Sequence, residues 1–210
     1  MKRDLKEWIL RILIMLAGLC FAHLGVTLFL LSNLGADPFN VLIQGLTLLI
    51  GKRLSHGTVH MIVCFLIILV LLFVDRSYIK AGTIVCMFCG GPIIDFFSWL
   101  LKGLGIGGIA LPLKIIVLCL GCVILAFGMT IVIRSEAGTG PNDLVAVVIS
   151  DKTHVRFGIV RVITDLLFVG IGFVLGGTFG IGTVICALLV GPVADKCMPV
   201  SDRIVKRFLK

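Results

Sequence analysis

Four acidic residues and one arginine lie within or beside long apolar segments, where a charged side chain is costly and usually marks a functional site. Arg161 and Asp165 are four residues apart in the apolar segment 158–174, a spacing that places both side chains on one face of a helix. Such a pair can carry a proton or bind a charged solute, or it can be a structural ion pair that neutralises itself. The sequence leaves both interpretations open.

Asp95 and Asp195 occupy the same place in two copies of one motif. Residues 82–95 read GTIVCMFCGGPIID and residues 182–195 read GTVICALLVGPVAD, so six of fourteen positions are identical at an offset of one hundred. An acid repeated beside an apolar helix is a candidate proton or solute site. Both acids also lie near the expected ends of their helices, so exposure at the membrane interface is the alternative interpretation.

Two loops rich in glycine and proline follow apolar segments: LGADPFN at 34–40 and AGTGPND at 137–143. Proline suits the first turn of a helix and glycine permits a sharp bend before it. These patterns predict two helix breaks, formed by Gly35, Pro38, Gly138, Gly140 and Pro141. A helix that begins at membrane depth offers free N–H groups and a partial positive charge. The candidate solute- or ion-binding side chains at the breaks are Asp37, Asn40, Asn142 and Asp143. Ordinary capped turns outside the membrane are the alternative.

The cysteines of the chain include two CxxC pairs, Cys86 with Cys89 and Cys119 with Cys122. This spacing can bind a soft metal or support redox chemistry. Neither pair has a histidine or another CxxC close by in sequence, so we interpret the cysteines as small hydrophobic residues. No zinc-protease, nucleophile-elbow or P-loop motif is present. We therefore expect no enzyme activity, no metal and no cofactor.

A membrane bundle of helices must position these residues. The chain is 59% hydrophobic and 14% charged, with a mean hydropathy of +1.20, which is far outside the range of soluble globular proteins. Four segments, 12–36, 54–74, 115–133 and 166–194, contain no charged residue. The last is long enough for two helices with a glycine-rich turn at 176–180. The sequence predicts an all-α polytopic membrane protein.

A second set of matches extends the repeat to the whole chain. At a constant offset, Gly25, Thr27, Ser32, Gly35 and Pro38 correspond to Gly128, Thr130, Ser135, Gly138 and Pro141. Each half then has a long helix, a short helix that starts at the proline, and a hairpin of two helices. We predict two membrane repeats, 1–104 and 105–210, in one integrated domain with a site between them.

The short helices leave two arrangements open, because Pro38–Ile50 makes only about 20 Å of helix and 141–150 about 15 Å, against about 30 Å of hydrocarbon. About eight transmembrane helices, the two short ones included, would make the repeats parallel. Six spans plus two re-entrant helices would make the repeats inverted. We prefer eight, because that arrangement keeps Lys52, Arg53 and Lys102 on the cytoplasmic side.

The net charge of +8 arises from basic residues at the ends of apolar segments and in both termini, including Lys2, Arg3 and Lys210. The positive-inside rule explains this distribution without a nucleic acid partner. It also predicts that both termini are cytoplasmic. The first apolar segment is too long for a signal peptide and is interpreted as a retained helix.

The helix-break loops and the two Gly-Pro-x-x-Asp segments, at 91–95 and 191–195, resemble those of the YczE/YyaS/YitT family of bacterial integral membrane proteins over nearly the whole chain. The family loop pattern is fuller at 138–143. The first loop has Ala-Asp-Pro where Gly-Pro is expected, and Asn40 in place of the acid. The resemblance implies a bacterial cytoplasmic membrane location and supplies no substrate.

The duplication, the paired helix breaks and the intramembrane charges together favour a small secondary transporter or permease, proton- or ion-coupled, with its site between the repeats. The alternative is a non-transporting membrane sensor, assembly factor or substrate-binding subunit that requires a partner. The expected partners are the lipid bilayer and an unknown small solute, with a homodimer through glycine-rich faces as a further option.

Overall fold

The computed structural model describes residues 5–51, 54 and 56–209. Within these residues the chain forms eight α-helices and no β-strand. They are α1 Leu5–Ser32, α2 Pro38–Leu49, α3 His56–Asp75, α4 Ala81–Leu101, α5 Leu111–Ser135, α6 Pro141–Thr153, α7 Phe157–Val174 and α8 Ile181–Phe208. Short 3-10 turns at Arg76–Tyr78, Lys102–Leu104 and Ile106–Gly108 connect α3 to α4 and α4 to α5. The predicted all-α polytopic membrane fold is confirmed.

Six of the described helices are long and apolar enough to cross a membrane: α1, α3, α4, α5, α7 and α8. The other two begin at the predicted prolines and are short, with 12 residues in α2 and 13 in α6. At 1.5 Å per residue they extend about 18 to 20 Å. The predicted glycine-rich turn lies between α7, which ends at Val174, and α8, which begins at Ile181.

α1 and α5 form the centre of the bundle and run antiparallel. The backbone of Gly25 packs against Leu125, and the backbone of Gly128 packs against Ala22, so closely that neither glycine has room for a Cβ atom. Small residues permit this approach, and in lipid such contacts take the place of the hydrophobic effect in holding helices together. The first helices of the two predicted repeats therefore point in opposite directions.

α4 runs parallel to α1, because Gly82 lies beside Met15 and Gly90 lies beside His23. α8 runs parallel to α5, because Gly182 lies beside Leu118 near their starts, and the hydroxyls of Thr130 and Ser201 are 2.7 Å apart further along. Both the described start of α1 and the end of α8 lie at one end of the bundle, which we call the terminal face. The opposite end, which holds residues 33–37 and 175–180, is the distal face.

These directions decide the path of the short helices. Between the parallel helices α1 and α4 the chain must return once from the distal to the terminal face, and α3 makes that crossing. α2 therefore begins and ends on the distal side. By the same argument α6 begins and ends on the terminal side, because α7 makes the single crossing between the parallel helices α5 and α8.

The preferred prediction of eight crossings with parallel repeats is thus wrong, and the alternative of six spans with two re-entrant helices and inverted halves describes the structure. The positive-inside rule was misleading here because the preference for eight crossings rested on only three basic residues, Lys52, Arg53 and Lys102. Lys52 and Arg53 lie outside the described residues, as do Lys2, Arg3 and Lys210. The inverted arrangement places Arg76, Lys80 and Arg134 on the terminal face, whereas the parallel arrangement would have placed them opposite the termini.

The two hairpins pack differently. α7 and α8 approach closely where Gly158 meets Gly191, and a Cβ atom on either glycine would meet the backbone of the other helix. α3 and α4 barely touch one another, and their exposed faces carry large apolar side chains such as Phe73 and Trp99. The half that contains α7 and α8 is therefore the more closely packed.

Candidate functional site

Both short helices begin at a sharp turn built on a glycine with positive φ. The φ angle is 140° at Gly35 and 144° at Gly138, a region that favours glycine. The carbonyl before each glycine accepts a hydrogen bond from the other half of the chain: Leu34 O from Gly182 N at 3.0 Å, and Ala137 O from Gly82 N at 3.1 Å. Each helix break is thus anchored by the start of a spanning helix from the opposite half.

The two breaks differ in how the helix N-terminus is capped. Asp37 caps α2, accepting a hydrogen bond from Asn40 N at 3.2 Å and another from Asn40 Nδ2 at 2.6 Å. At α6 the N-cap is Gly140, and no side chain makes the capping hydrogen bond. The side-chain oxygens of Asn142 and Asp143 lie close to Gly140. The break-loop candidates therefore form two separate polar groups, one at the start of each short helix.

Arg161 joins the second of these groups to α7. Its Nε donates to Asp165 Oδ2 at 2.9 Å, one turn along α7, and its Nη1 donates to Asp143 Oδ1 on α6. The structure thus contains the ion pair that the spacing of Arg161 and Asp165 indicated. The third member, Asp143, could not be assigned to it from spacing, because it comes from a different helix.

In the Asp143–Arg161–Asp165 cluster, Arg161 and Asp165 are buried and Asp143 is partly buried, and there is one more carboxylate than guanidinium groups. Asp165 is 1% exposed, and its Oδ1 has no hydrogen-bond partner in the described part of the chain. Asp37 at the start of α2 also interacts electrostatically with Asp165 on α7. Buried carboxylates with excess negative charge are costly unless a proton or a cation neutralises them.

Helices from both halves surround this cluster. Asp143 interacts electrostatically with His23 on α1, Cys64 on α3 and Cys86 on α4. The ring of His23 is held by a 2.8 Å hydrogen bond between Nδ1 and Leu19 O. The cluster therefore lies at the centre of the bundle, and the two halves enclose it together.

The repeated acids have different surroundings. Asp195 is nearly buried, accepts a hydrogen bond from Gly158 N at 2.7 Å and lies 3.1 Å from Arg156 Nη2. Asp95 is exposed on α4 and makes no hydrogen bond or ion pair within the described residues. Neither acid belongs to the central cluster. Asp195 caps the start of α7, a local structural role that explains its burial.

A cavity of about 620 Å³ opens at the terminal face between the ends of α5, α6, α7 and α8. Gly138 and Thr139 of the helix break line it, together with Arg134, Arg156 and Asp195. A second cavity of about 570 Å³ lies at the distal face and has no charged residue in its lining. Thr139 was not among the candidate residues that the sequence predicted. Its position in the second break loop is the signal that could have indicated it.

The CxxC cysteines do not form a metal site in the described part of the chain, where no group of three or more His, Cys, Asp or Glu side chains could hold an ion. All eight cysteines are free thiols. Cys86 contacts Met15, with its Sγ 3.8 Å from the thioether sulfur. These side chains pack as small apolar residues would.

Comparison with known proteins assigns this arrangement to a family. The model for a family of unknown function, DUF6198, matches residues 9–199. The chain belongs to the DUF6198 family. It is similar to the uncharacterized membrane protein YczE of Bacillus subtilis (strain 168), with 28% identity over 95% of this chain and 91% of YczE. It is also similar to the uncharacterized protein YyaS of the same organism, with 25% identity over 89% of this chain and 91% of YyaS.

An uncharacterized protein of Haemophilus influenzae is 26% identical over 91% of this chain and 84% of that protein. No solved structure gives a significant match. The predicted resemblance to YczE and YyaS is confirmed. The similarity to the membrane protein YczE and the six long apolar helices support a multi-pass membrane protein, and the activity must be argued from the site.

Proposed function

We propose that the protein is a small secondary transporter in which the Asp143–Arg161–Asp165 cluster takes up and releases a proton as a small solute crosses the membrane. The observation that carries this proposal is the cluster itself, which has two carboxylates for one guanidinium and an oxygen of Asp165 without a partner. A structural ion pair would need neither the second carboxylate nor the link to α6. A group that binds and releases a proton benefits from both.

The charge around the cluster supports a proton as the coupling ion. Arg161 neutralises one of its two carboxylates, and Asp37 adds a further negative charge to the field at Asp165. Binding one proton would bring the cluster to neutrality. Described side chains that interact electrostatically with Asp143 or Asp165 include the imidazole of His23 and the thiols of Cys64, Cys86 and Cys186.

The arrangement of the helices supports transport. Inverted halves with short helices that begin near a central site are typical of secondary transporters, in which one half rocks against the other. Here the hairpin of α7 and α8 is closely packed and that of α3 and α4 is not. A loosely packed hairpin in one half would leave that half free to move against the other, as such rocking needs.

We infer that the terminal face is cytoplasmic. It holds the basic residues Lys6, Arg11, Arg76, Lys80, Arg134, Lys152, Arg156, Lys196, Arg203, Lys206 and Arg207. The distal face holds Lys102 and Lys114 among the described residues. This asymmetry follows the positive-inside rule and supports the proposal that both termini are inside the cell, with the protein in the cytoplasmic membrane of a bacterium.

The test is solute-driven proton movement by the purified protein. The protein is reconstituted into vesicles that enclose a pH-sensitive dye, and a panel of amino acids, organic acids and amines is added outside. We expect at least one solute to change the internal pH, and we expect Asp143→Asn and Asp165→Asn each to abolish that change. Asp75→Asn is the matched control, because it removes one exposed carboxylate at the same face.

Three results would contradict the proposal. The first is proton movement that survives both cluster variants, and the second is solute flux without proton movement. The third is a broad panel without any flux, and this result would favour the alternative of a sensor, assembly factor or binding subunit that works with a partner protein. Size-exclusion profiles of each variant establish that the protein is still folded.

A further inference from the structure

The cavity at the terminal face lies beside the N-terminus of α6. It is lined by Gly138 and Thr139, which precede this 13-residue helix, and by Leu144 of its first turn. The first N–H groups of a helix have no partner within the helix, and aligned peptide dipoles give this end a partial positive charge. No side chain caps α6, whereas the carboxylate of Asp37 caps the corresponding end of α2.

Thr139 supplies a second donor beside the helix N-terminus. It is 4% exposed, and its Oγ1 has no hydrogen-bond partner in the part of the chain that the structure describes. Buried hydroxyl groups nearly always have a partner, because leaving one unsatisfied costs free energy. The corresponding residue of the first half is Ala36, which has no hydroxyl. The hydroxyl at Thr139 thus belongs to the half that carries the charged cluster.

Among the described charged residues that line the cavity, Arg134 is a cation without a close partner. Asp195 is paired with Arg156, Asp202 with Lys206, and Glu136 with Arg11. Arg134 makes no hydrogen bond or ion pair within the described residues, and its electrostatic partner there is the more distant Asp202. A bound anion would meet Arg134 and Thr139, which both line the cavity.

We propose that this cavity binds the carboxylate of a small organic acid, with the carboxylate accepting hydrogen bonds from the Thr139 hydroxyl and the free N–H groups of α6. A monoanion fits better than a phosphate dianion, because Glu136, Asp151, Asp195 and Asp202 also line the cavity. The role of this cavity as a transport site rests on the proposed function, whereas the binding of a carboxylate there does not.

The position of Asp143 would couple this site to the proton. Asp143 is the third residue of α6, so its negative charge opposes a carboxylate at the helix N-terminus. A proton on the Asp143–Arg161–Asp165 cluster would relieve the repulsion, and by linkage each ligand favours the other. The solute would then cross as a carboxylate together with a proton.

Binding is measured by isothermal titration of the full chain in detergent with sodium acetate, lactate and succinate, against sodium chloride and sodium phosphate. We expect a carboxylate to bind more tightly than chloride and phosphate. Thr139→Val removes the hydroxyl with little change of shape and should weaken binding about ten-fold or more, the usual effect of losing a hydrogen bond to a charged group. Thr139→Ser keeps the hydroxyl and should bind within about three-fold of the wild type.

Thr178→Val is the matched control, because it removes a hydroxyl at the distal cavity, where Thr178 donates to Gln44. The proposal is overturned if no carboxylate binds more tightly than chloride, if phosphate binds best, or if Thr139→Val binds as the wild type does. Carboxylate binding by a protein that moves no protons in vesicles would instead contradict the proposed function and leave this site in place.

Discussion

The N-termini of α2 and α6 share a backbone and differ in charge. Each begins at a proline after a glycine with φ near 140°, and each is anchored by a glycine N–H from the opposite half. At α2 the cap is a carboxylate that belongs to the chain, Asp37, whereas at α6 the equivalent residue is Gly140. The comparison teaches that the two helix breaks have the same backbone framework, while the N-terminus without a carboxylate cap lies in the second half.

The hairpin of α3 and α4 and the hairpin of α7 and α8 also differ in charge. His60 and Cys64 in the first half occupy the places of Arg161 and Asp165 in the second. Asp143 corresponds to Asn40, which has no charge. The second half therefore holds the whole of the Asp143–Arg161–Asp165 cluster, and substitutions at equivalent positions should affect the two halves unequally.

The largest expected effect is that of Arg161→Met, which leaves the buried Asp165 and the partly buried Asp143 without a cation. Removing one partner of a buried charge cluster costs about 3–5 kcal/mol, and the melting temperature in detergent should fall by about 10 °C for a chain of this size. Lys152→Met is the control, because it breaks an exposed ion pair with Asp75 and should change little. Asp165→Asn should cost less than Arg161→Met, because Asp143 still pairs with Arg161. Equal melting temperatures for wild type and Arg161→Met would show that the cluster does not form.

The glycines of the helix breaks allow a direct comparison of the two halves. Gly138→Ala and Gly35→Ala both force alanine into a positive φ, which costs about 1–3 kcal/mol. At Gly138 the new methyl group would lie 2.3 Å from the backbone nitrogen of Thr83, whereas at Gly35 it would lie 2.5 Å from the Thr183 hydroxyl and 2.8 Å from the backbone nitrogen of Gly180, so the backbone clash is more severe at Gly138. Gly138→Ala should therefore lower the melting temperature more than Gly35→Ala. The reverse order would show that the first break is the more rigid.

Much of this fold could be predicted from local sequence. The start of each short helix follows from proline, the turn between α7 and α8 follows from its glycines, and the pair of Arg161 and Asp165 follows from helical spacing. The orientation of the halves could not be predicted, because a short helix can cross or return and local hydropathy does not separate the two. The contact between α1 and α5, in which Gly25 meets Leu125, is what decides it.

The site was predictable only in part for a similar reason. Repetition drew attention to Asp95 and Asp195 equally, yet the structure pairs Asp195 with Arg156 and leaves Asp95 exposed. A motif fixes where an acid lies along its helix, whereas its partner comes from another helix. Asp143 on α6 likewise has its partner, Arg161, on another helix, α7.

Asp195→Ala and Asp95→Ala test whether the repeated acids are structurally equivalent. Asp195→Ala removes the acceptor for Gly158 N–H at the start of α7, and the loss of such a cap costs about 0.5–2 kcal/mol. Asp95→Ala removes an exposed side chain and should leave the melting temperature unchanged. Thermal unfolding of both variants in one detergent makes the measurement, and an equal loss in the two would mean that Asp95 has a partner in the folded protein.

Gly140→Asp has the smallest expected effect on stability and tests most directly the difference between the N-termini of α2 and α6. It places the capping residue of α2 at the equivalent position of α6. The backbone at Gly140, with φ −59° and ψ 146°, accepts any residue, and a Cβ atom would meet the side-chain oxygen of Asn142 at 3.0 Å and that of Asp143 at 4.0 Å. A capping aspartate contributes about 1 kcal/mol, and the negative charge of the neighbouring Asp143 offsets part of this gain, so the melting temperature should change little. The new carboxylate would occupy the helix N-terminus, so titration with acetate, lactate and succinate should show weakened binding in a protein that is no less stable. Unchanged carboxylate affinity in a stable Gly140→Asp protein would mean that the N-terminus of α6 is not where the anion binds.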